Sequence, residues 1–489
     1  MQELALELKN IEKSYSGKTI LAINNLKVYQ NDKIGIIGEN VQGKSTLINI
    51  INKLIEPDKG EIQSMIDFQY FKQVENNQSV DFEKVDPEIV SRFKVPLHCD
   101  KFYSGGEETR SRLAEVFSNY SMGLLMDEPT THLDGDGVRF LIDELTYYYG
   151  TLIVVSHDRM FLDQVVDNIW EVKDGSVNVF NGNYTSYVEQ KEQQELDQER
   201  KHQNFVKEKG RLEKSVKKKQ EQALKMSKVS QKNKSKNIRP SRLSSTKQKD
   251  TIQKAAHKTA RAIEKRIDHL DVVDRTNQSK DIQFPNSSTI EIHNPYPIMG
   301  DNINISAGNS LLLKNVNFQF KLGKRIGLSG PNGSGKTSLQ QHIIEEKEGV
   351  KLSPKVKMSV FKQMDYKLIG EINVLHYLLQ DSDYQESVIR AVLSNLGFSQ
   401  DELSKSICHL SGGEATRLVL AKQFTDPSNV LILDEPTNFI DVKTIEALEK
   451  LIKAYKGTVI FTSHDSYFMK RLAEEVWEIK AKGLVLSKY

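Results

Sequence analysis

Cysteine is nearly absent: Cys99 and Cys408 are the only two in 489 residues. That excludes a disulfide framework and any cysteine-based zinc site, and both residues are expected to be inert small hydrophobes. No apolar run approaches the roughly 18 to 20 residues that a membrane helix needs, so the chain is expected to make no membrane path. The opening Met1-Gln2-Glu3-Leu4 lacks the basic and apolar regions of a secretory signal, which points to a cytoplasmic protein. A strong net charge is missing as well, the formal value being +2.

That small value conceals an uneven distribution. Between Lys209 and Arg261 there are 18 Lys and Arg against three acidic residues, a net of +15, so the rest of the chain carries −13. A basic segment between acidic domains implies a polyanionic partner for that segment alone. From about Tyr187 to Asp281 glycine and proline are also scarce. Leu196, Phe205, Val206 and Leu212 are spaced as one helix face, and Ile263, Ile267 and Leu270 as another. Two long helices folding back near Pro240 are expected, with a tip around residues 228–247. Aromatic residues are few there, so recognition of folded RNA through its shape and phosphates fits better than stacking on single strands.

The two halves of the chain repeat each other. Gly38-Glu39-Asn40-Val41-Gln42-Gly43-Lys44-Ser45 recurs as Gly330-Pro331-Asn332-Gly333-Ser334-Gly335-Lys336-Thr337. Ser104-Gly105-Gly106-Glu107 recurs as Ser411-Gly412-Gly413-Glu414, Asp127-Glu128 as Asp434-Glu435, and Ser156-His157-Asp158 as Ser463-His464-Asp465. The last three pairs share one offset of 307, whereas Lys44 and Lys336 differ by 292. The difference lies upstream, in a shorter insert between Gln73 and Ser104 than between Gln363 and Ser411. Each copy reads as α/β, with a buried strand at Lys33–Ile37 running into a glycine loop and then a helix from Lys44.

These patterns carry phosphate chemistry. A G-x-x-x-x-G-K-[ST] loop turns backbone N–H groups inward at a helix start, where the dipole favours anions. Lys44 and Lys336 are placed to reach the β/γ-phosphates, with Thr46 and Ser338 following in the same turn. Ser45 and Thr337 with Asp127 and Asp434 supply oxygen ligands for Mg²⁺, and Gln73 and Gln363 complete that set. Glu128 and Glu435 are placed to polarise an attacking water, and His157 and His464 to contact the γ-phosphate. Ser-Gly-Gly-Glu resembles the signature that separates ABC ATPases from other P-loop enzymes, and the resemblance implies that its amides, at a helix start, bind the γ-phosphate held by the opposite domain. Lys44, Asp127, Glu128 and His157 thus pair with Ser411, and Lys336, Asp434, Glu435 and His464 with Ser104. ATP becomes an adhesive between two domains of one chain, an arrangement that a monomer can complete.

The copies are not equivalent. Val41 stands where the ABC pattern prefers glycine, and a β-branched residue tolerates positive φ badly. Tyr15 sits where an adenine-stacking aromatic belongs, while Asn304-Ile305-Ser306-Ala307 offers none. Both copies keep the Lys, Asp, Glu and His set, so both are expected to hydrolyse ATP, unequally.

The tandem ABC domains, Ser156-His157-Asp158-Arg159-x-Phe161-Leu162-Asp163, Gly182-Asn183-Tyr184-x-x-Tyr187 and Asp434-Glu435-Pro436-Thr437-Asn438 resemble the ABC-F family along essentially the whole chain. Within it, the short first insert, the basic linker tip and the stop at Tyr489 are similar to antibiotic-resistance ribosomal protection proteins of the macrolide and streptogramin B (Msr) type. The resemblance implies nucleotide-binding domains at 1–186 and 282–489, joined by a helical hairpin linker at 187–281. It also implies a ribosomal partner at the tRNA exit site, with the linker reaching toward the peptidyl-transferase centre. Lys217, Lys218, Lys219, Arg239, Arg242 and Leu243 are the residues expected to approach RNA or the drug site, and no DNA partner is expected. Three alternatives stay open at this point: a housekeeping ABC-F translation factor, the ATPase subunit of a drug exporter and a DNA-processing ABC protein.

Overall fold

A computed structural model describes residues 3–39, 42–72, 85–93, 95, 105–234, 255, 258–259, 261–263, 265–266, 284, 292–308, 310–362, 368, 370–438 and 440–487. The chain divides into two compact units. One comprises Met1–Tyr187 with Ser279–Tyr489, and the other Val188–Gln278.

The first unit holds the two repeats. In the first repeat the strands are β1 (Leu4–Tyr15), β2 (Lys18–Tyr29), β3 (Lys33–Ile37), β4 (Lys59–Ser64), β5 (Phe68–Phe71), β6 (Gly123–Asp127), β7 (Thr151–Val155), β8 (Asn168–Lys173) and β9 (Ser176–Asn181). The second repeat has β10 (Ile298–Ala307), β11 (Ser310–Phe320), β12 (Arg325–Ser329), β13 (Val350–Leu352), β14 (Met358–Phe361), β15 (Val430–Leu433), β16 (Thr458–Thr462), β17 (Glu475–Lys480) and β18 (Gly483–Ser487). Each repeat builds one three-stranded sheet, β2-β1-β4 or β11-β10-β13, and one six-stranded sheet, β5-β6-β7-β3-β8-β9 or β14-β15-β16-β12-β17-β18. The six-stranded sheets are parallel except for the last hairpin.

The central strands β6 and β7 are buried at every position, as continuous apolar runs in a parallel sheet require. Ile36, Leu125, Ile153 and Trp170 join Leu47 and Ile51 of the helix Lys44–Ile51 in one core. Ile326, Ile432, Ile460 and Ile343 do the same in the second repeat. In an open parallel sheet, ligands collect beyond the carboxyl ends of the strands. Because β6, β7 and β3 are neighbours, the residues that follow them meet at one place although the sequence scatters them over more than a hundred positions.

Two expectations need correction. Cys408 is exposed, with its Sγ 3.2 Å from Ser406 Oγ, so it is no buried hydrophobe; Cys99 lies outside the described residues. In the second unit the helix Tyr184–Lys234 is continuous over 51 residues, but its apolar face is not the one inferred. Leu212 and Val216 are buried, whereas Leu196 and Val206 are half exposed. Leu196 and Leu212 are 16 residues apart, which puts them about 160° apart around a helix, so one strip cannot hold both. Ile267, Leu270 and the tip beyond Lys234 lie outside the described residues. Glu208 lies 3.9 Å from Arg266, a pair centred on residue 237, as an antiparallel return requires.

Candidate functional site

The phosphate loops form where glycine permits them. Gly43 and Gly335 precede their helices with φ of 99° and 104°, a left-handed conformation that side chains resist. A Cβ on Gly43 would also lie 2.9 Å from Ile20 Cγ2. The helices Lys44–Ile51 and Lys336–Ile344 then aim their first amides at the loop. Lys44 Nζ donates to the carbonyls of Gly38 and Glu39 at 2.6 and 3.0 Å. Lys336 Nζ does the same to Gly330 and Pro331 at 2.7 and 3.1 Å. Burial holds both lysines below their ordinary pKa. Glu128 and Asp441 oppose that shift at Lys44, as do Glu435 and Asp134 at Lys336. Each lysine therefore senses carboxylates of its own repeat, Asp127 and Glu39 with Glu128 at Lys44 and Asp434 with Glu435 at Lys336, and one from the other repeat.

Glu128 and Glu435 sit just beyond β6 and β15 with φ of 50° and 48°, a conformation that costs non-glycine residues on the order of 1 kcal/mol. Their neighbours keep it in place: His157 N donates to Glu128 Oε2 at 3.3 Å, and His464 N to Glu435 Oε2 at 3.1 Å. The imidazole Nε2 atoms stand 3.4 Å from the two Oε1 atoms. Burial pushes Glu128 up to about 8 and Glu435 to about 7. Burial, seconded by the adjacent lysine, pulls His157 down to about 3 and His464 to about 4. Two carboxyls poised near neutrality beside neutral imidazoles can accept a proton from water.

The metal set is built of hydroxyl and carboxylate oxygens, the hard donors that a small divalent cation takes. Thr337 Oγ1 lies 3.3 Å from Asp434 Oδ1, and Thr462 Oγ1 donates to the same oxygen at 2.8 Å. The first repeat has Val155 in the place of Thr462. Thr462 escaped sequence reasoning, because only the β15–β16 pairing brings it beside Asp434.

Lys44, Ser45, Asp127, Glu128 and His157 share a cavity of about 900 Å³ with Lys336, Thr337, Ser338, Glu435 and His464. Gly106 and Glu107 also line it. Gly106 stands close to the second phosphate loop: a Cβ there would lie 2.7 Å from the His132 carbonyl oxygen and 3.5 Å from Asn332 Nδ2. Asn332 N donates to Asp134 Oδ2 at 3.4 Å, and its Nδ2 to the His132 carbonyl at 3.1 Å. On the other side Lys443 Nζ reaches Glu39 Oε1 at 2.7 Å. The loops therefore meet head to tail.

Ser411, Gly412, Gly413 and Glu414 are not in the cavity wall. Ser411 caps the helix Gly412–Thr425, and Glu414 accepts from its amide and its hydroxyl, each at 2.7 Å. Tyr15 also stands apart, 45% exposed, with Lys13 Nζ 5.7 Å from its ring centre. Asn40, Val41, Gln73, Ser104, Gln363, Arg239, Arg242 and Leu243 lie outside the described residues. Lys217 and Lys218 are exposed on the long helix, and Lys219 is described in its backbone alone.

A sequence profile of the ABC transporter family matches residues 21–131 and 313–438, and a second profile of the same description matches 170–237. An erythromycin resistance ATP-binding protein, MsrA of Staphylococcus epidermidis, is 43% identical over 485 residues, covering 99% of each chain. The chain is an ABC-F ATPase. A second relative, the ribosome protection protein VmlR of Bacillus subtilis, is 31% identical over 99% of this chain and 88% of its own. Among solved structures, an RNase-L inhibitor superposes with a TM-score of 0.63 at 17% identity, covering 96% of this chain and 87% of that one. At that identity the likeness shows the fold alone: tandem ABC domains, here separated by a long helical insertion. As an ABC-F protein the chain carries domains that bind ATP. Among the described residues, no helix is long and apolar enough to cross a membrane.

Proposed function

We propose that this ABC-F ATPase protects the ribosome from antibiotics of the macrolide or streptogramin class. The full-length likeness to proteins named for erythromycin resistance and ribosome protection carries the reading. Residues 1–186 and 282–489 act as nucleotide-binding domains and 187–281 as the linker. In each site the lysine, Lys44 or Lys336, holds the phosphates. Ser45 with Asp127, and Thr337 with Asp434, hold Mg²⁺, which neutralises charge on the phosphates when bound. Gln73 and Gln363 join them. Glu128 and Glu435 orient the attacking water and take its proton, while His157 and His464 contact the γ-phosphate. The Ser-Gly-Gly-Glu turn of the opposite repeat closes each site, so ATP draws the repeats together within a monomer and hydrolysis releases them.

The linker supplies the contact with RNA. Its net charge of +15 between Lys209 and Arg261 suits ribosomal phosphates, each neutralised charge releasing a counterion. Arg239, Arg242 and Leu243 lie at the far end, which reaches toward the peptidyl-transferase centre beside tRNA. There Leu243 packs on bases and lowers the affinity for the drug. Such work is done in the cytoplasm.

Replacing Glu128 and Glu435 together by glutamine tests the cycle. ATP should still bind, hydrolysis should fall about a hundredfold or more, and the protein should co-sediment with ribosomes in ATP. Absence from the ribosome pellet would refute the partner. Unaltered erythromycin susceptibility on expression of the wild-type gene would refute the resistance role and favour a housekeeping factor.

A further inference from the structure

Arg159 follows Ser156-His157-Asp158 and opens the helix Arg159–Val165, yet its side chain is only 1% exposed. It leaves its own repeat. Nη2 donates to Glu449 Oε1 at 2.6 Å and to Asp465 Oδ2 at 3.1 Å, both in the second repeat. Its guanidinium carbon lies 4.6 Å from the centre of the Tyr467 ring. Arg471 takes the other oxygen of Glu449 at 3.3 Å. An arginine remains charged when buried, so these carboxylates are what make its position tolerable.

Asp465 is the informative partner. Its Oδ1 caps the helix Ser466–Leu472, accepting from Tyr467 N and Phe468 N at 2.8 and 2.9 Å, and its own amide donates to Ser463 Oγ at 3.0 Å. These bonds fix the turn that carries His464. Asp158 makes the equivalent cap on Phe161 N at 3.0 Å, but among the described residues it forms no ion pair. Nor is the device reciprocated, since the position matching Arg159 is Ser466. One histidine turn is therefore tied by a cation that the other repeat provides, and the other is not.

We propose that Arg159 is a positioning residue for the second nucleotide site: it holds Asp465, and through it the turn of His464, when the repeats are closed on each other. This rests on the reading that Glu435 and His464 act on ATP, and it adds that the second site depends on the first repeat's histidine turn.

Arg159→Leu, Arg159→Lys and Asp465→Asn in the full chain test it. Asparagine retains the helix cap while losing the charge, which guards against a fold that simply fails. In the Glu128→Gln background, where only the second site keeps its glutamate, steady-state kcat should fall about tenfold in Arg159→Leu and Asp465→Asn with KM changed less than about twofold, and Arg159→Lys should recover part of the loss. Amide hydrogen exchange in ATP, measured in the Glu128→Gln, Glu435→Gln background, should rise at residues 463–469 and stay constant at 156–162. Equal rises in both turns, no rise in either, or a KM effect with kcat preserved would each overturn the proposal. Hydrolysis persisting in the double glutamine variant would refute the glutamate assignment instead and leaves the exchange comparison readable.

Discussion

The backbone amide of Asn332 donates to Asp134 Oδ2 at 3.4 Å, tying the phosphate loop of the second repeat to the first. Asp134 has two further duties. Its Oδ1 caps the helix Gly135–Tyr147 by accepting from Gly137 N at 3.0 Å, and it pairs with Arg110 Nη2 at 2.7 Å. The carboxylate thus joins a helix start, the Ser-Gly-Gly-Glu helix and the opposite phosphate loop.

Asp134→Ala removes all three of these bonds. Loss of the cap should cost about 1 kcal/mol, visible as a lower Tm. ATP affinity at the second site should weaken several-fold more than at the first, as read by titrating nucleotide into the Lys44→Ala and Lys336→Ala backgrounds. Asp134→Asn should recover most of the stability, since asparagine also caps. Equal weakening at both sites would argue against the cross-repeat role.

Activity should depend on pH through the glutamates. Glu128 and Glu435 sit near about 8 and 7 because burial disfavours their charged forms, and a general base works only when ionised. kcat/KM, which reports the free enzyme, should therefore rise between about pH 6 and 8.5 with a midpoint near the two values. His157 and His464, held down at about 3 and 4, stay neutral and should add no limb above about pH 5. The sign for stability is opposite. Carboxyls whose folded pKa lies above the unfolded value favour the fold when protonated, a contribution that is lost as pH rises from the unfolded value through about 7 to 8. A flat kcat/KM profile over that range would remove the glutamates as the titrating base.

Neutralising Lys217, Lys218 and Lys219 together should weaken ribosome binding. The slope of log affinity against log salt should become shallower by roughly one for each phosphate that the variant no longer neutralises. ATPase activity of the free protein should hardly change, because none of the three belongs to a nucleotide motif. Identical salt titrations for wild type and variant would make these lysines a merely solvated helix face.

The sequence by itself determined the duplication, the α/β class, the nucleotide motifs and the charge of the linker. Each is written in short stretches of backbone code: glycines where φ must be positive, apolar runs where strands are buried, lysines where charge accumulates. Glu128 and His157 were both legible, yet only the pairing of β6 with β7 places them 3.4 Å apart. The tertiary structure alone decided which copy meets which. Asp134 and Asn332 are 198 positions apart, and Arg159 lies 290 from Glu449 and 306 from Asp465. No local pattern encodes such pairs, because their energy exists only once the two repeats pack against each other.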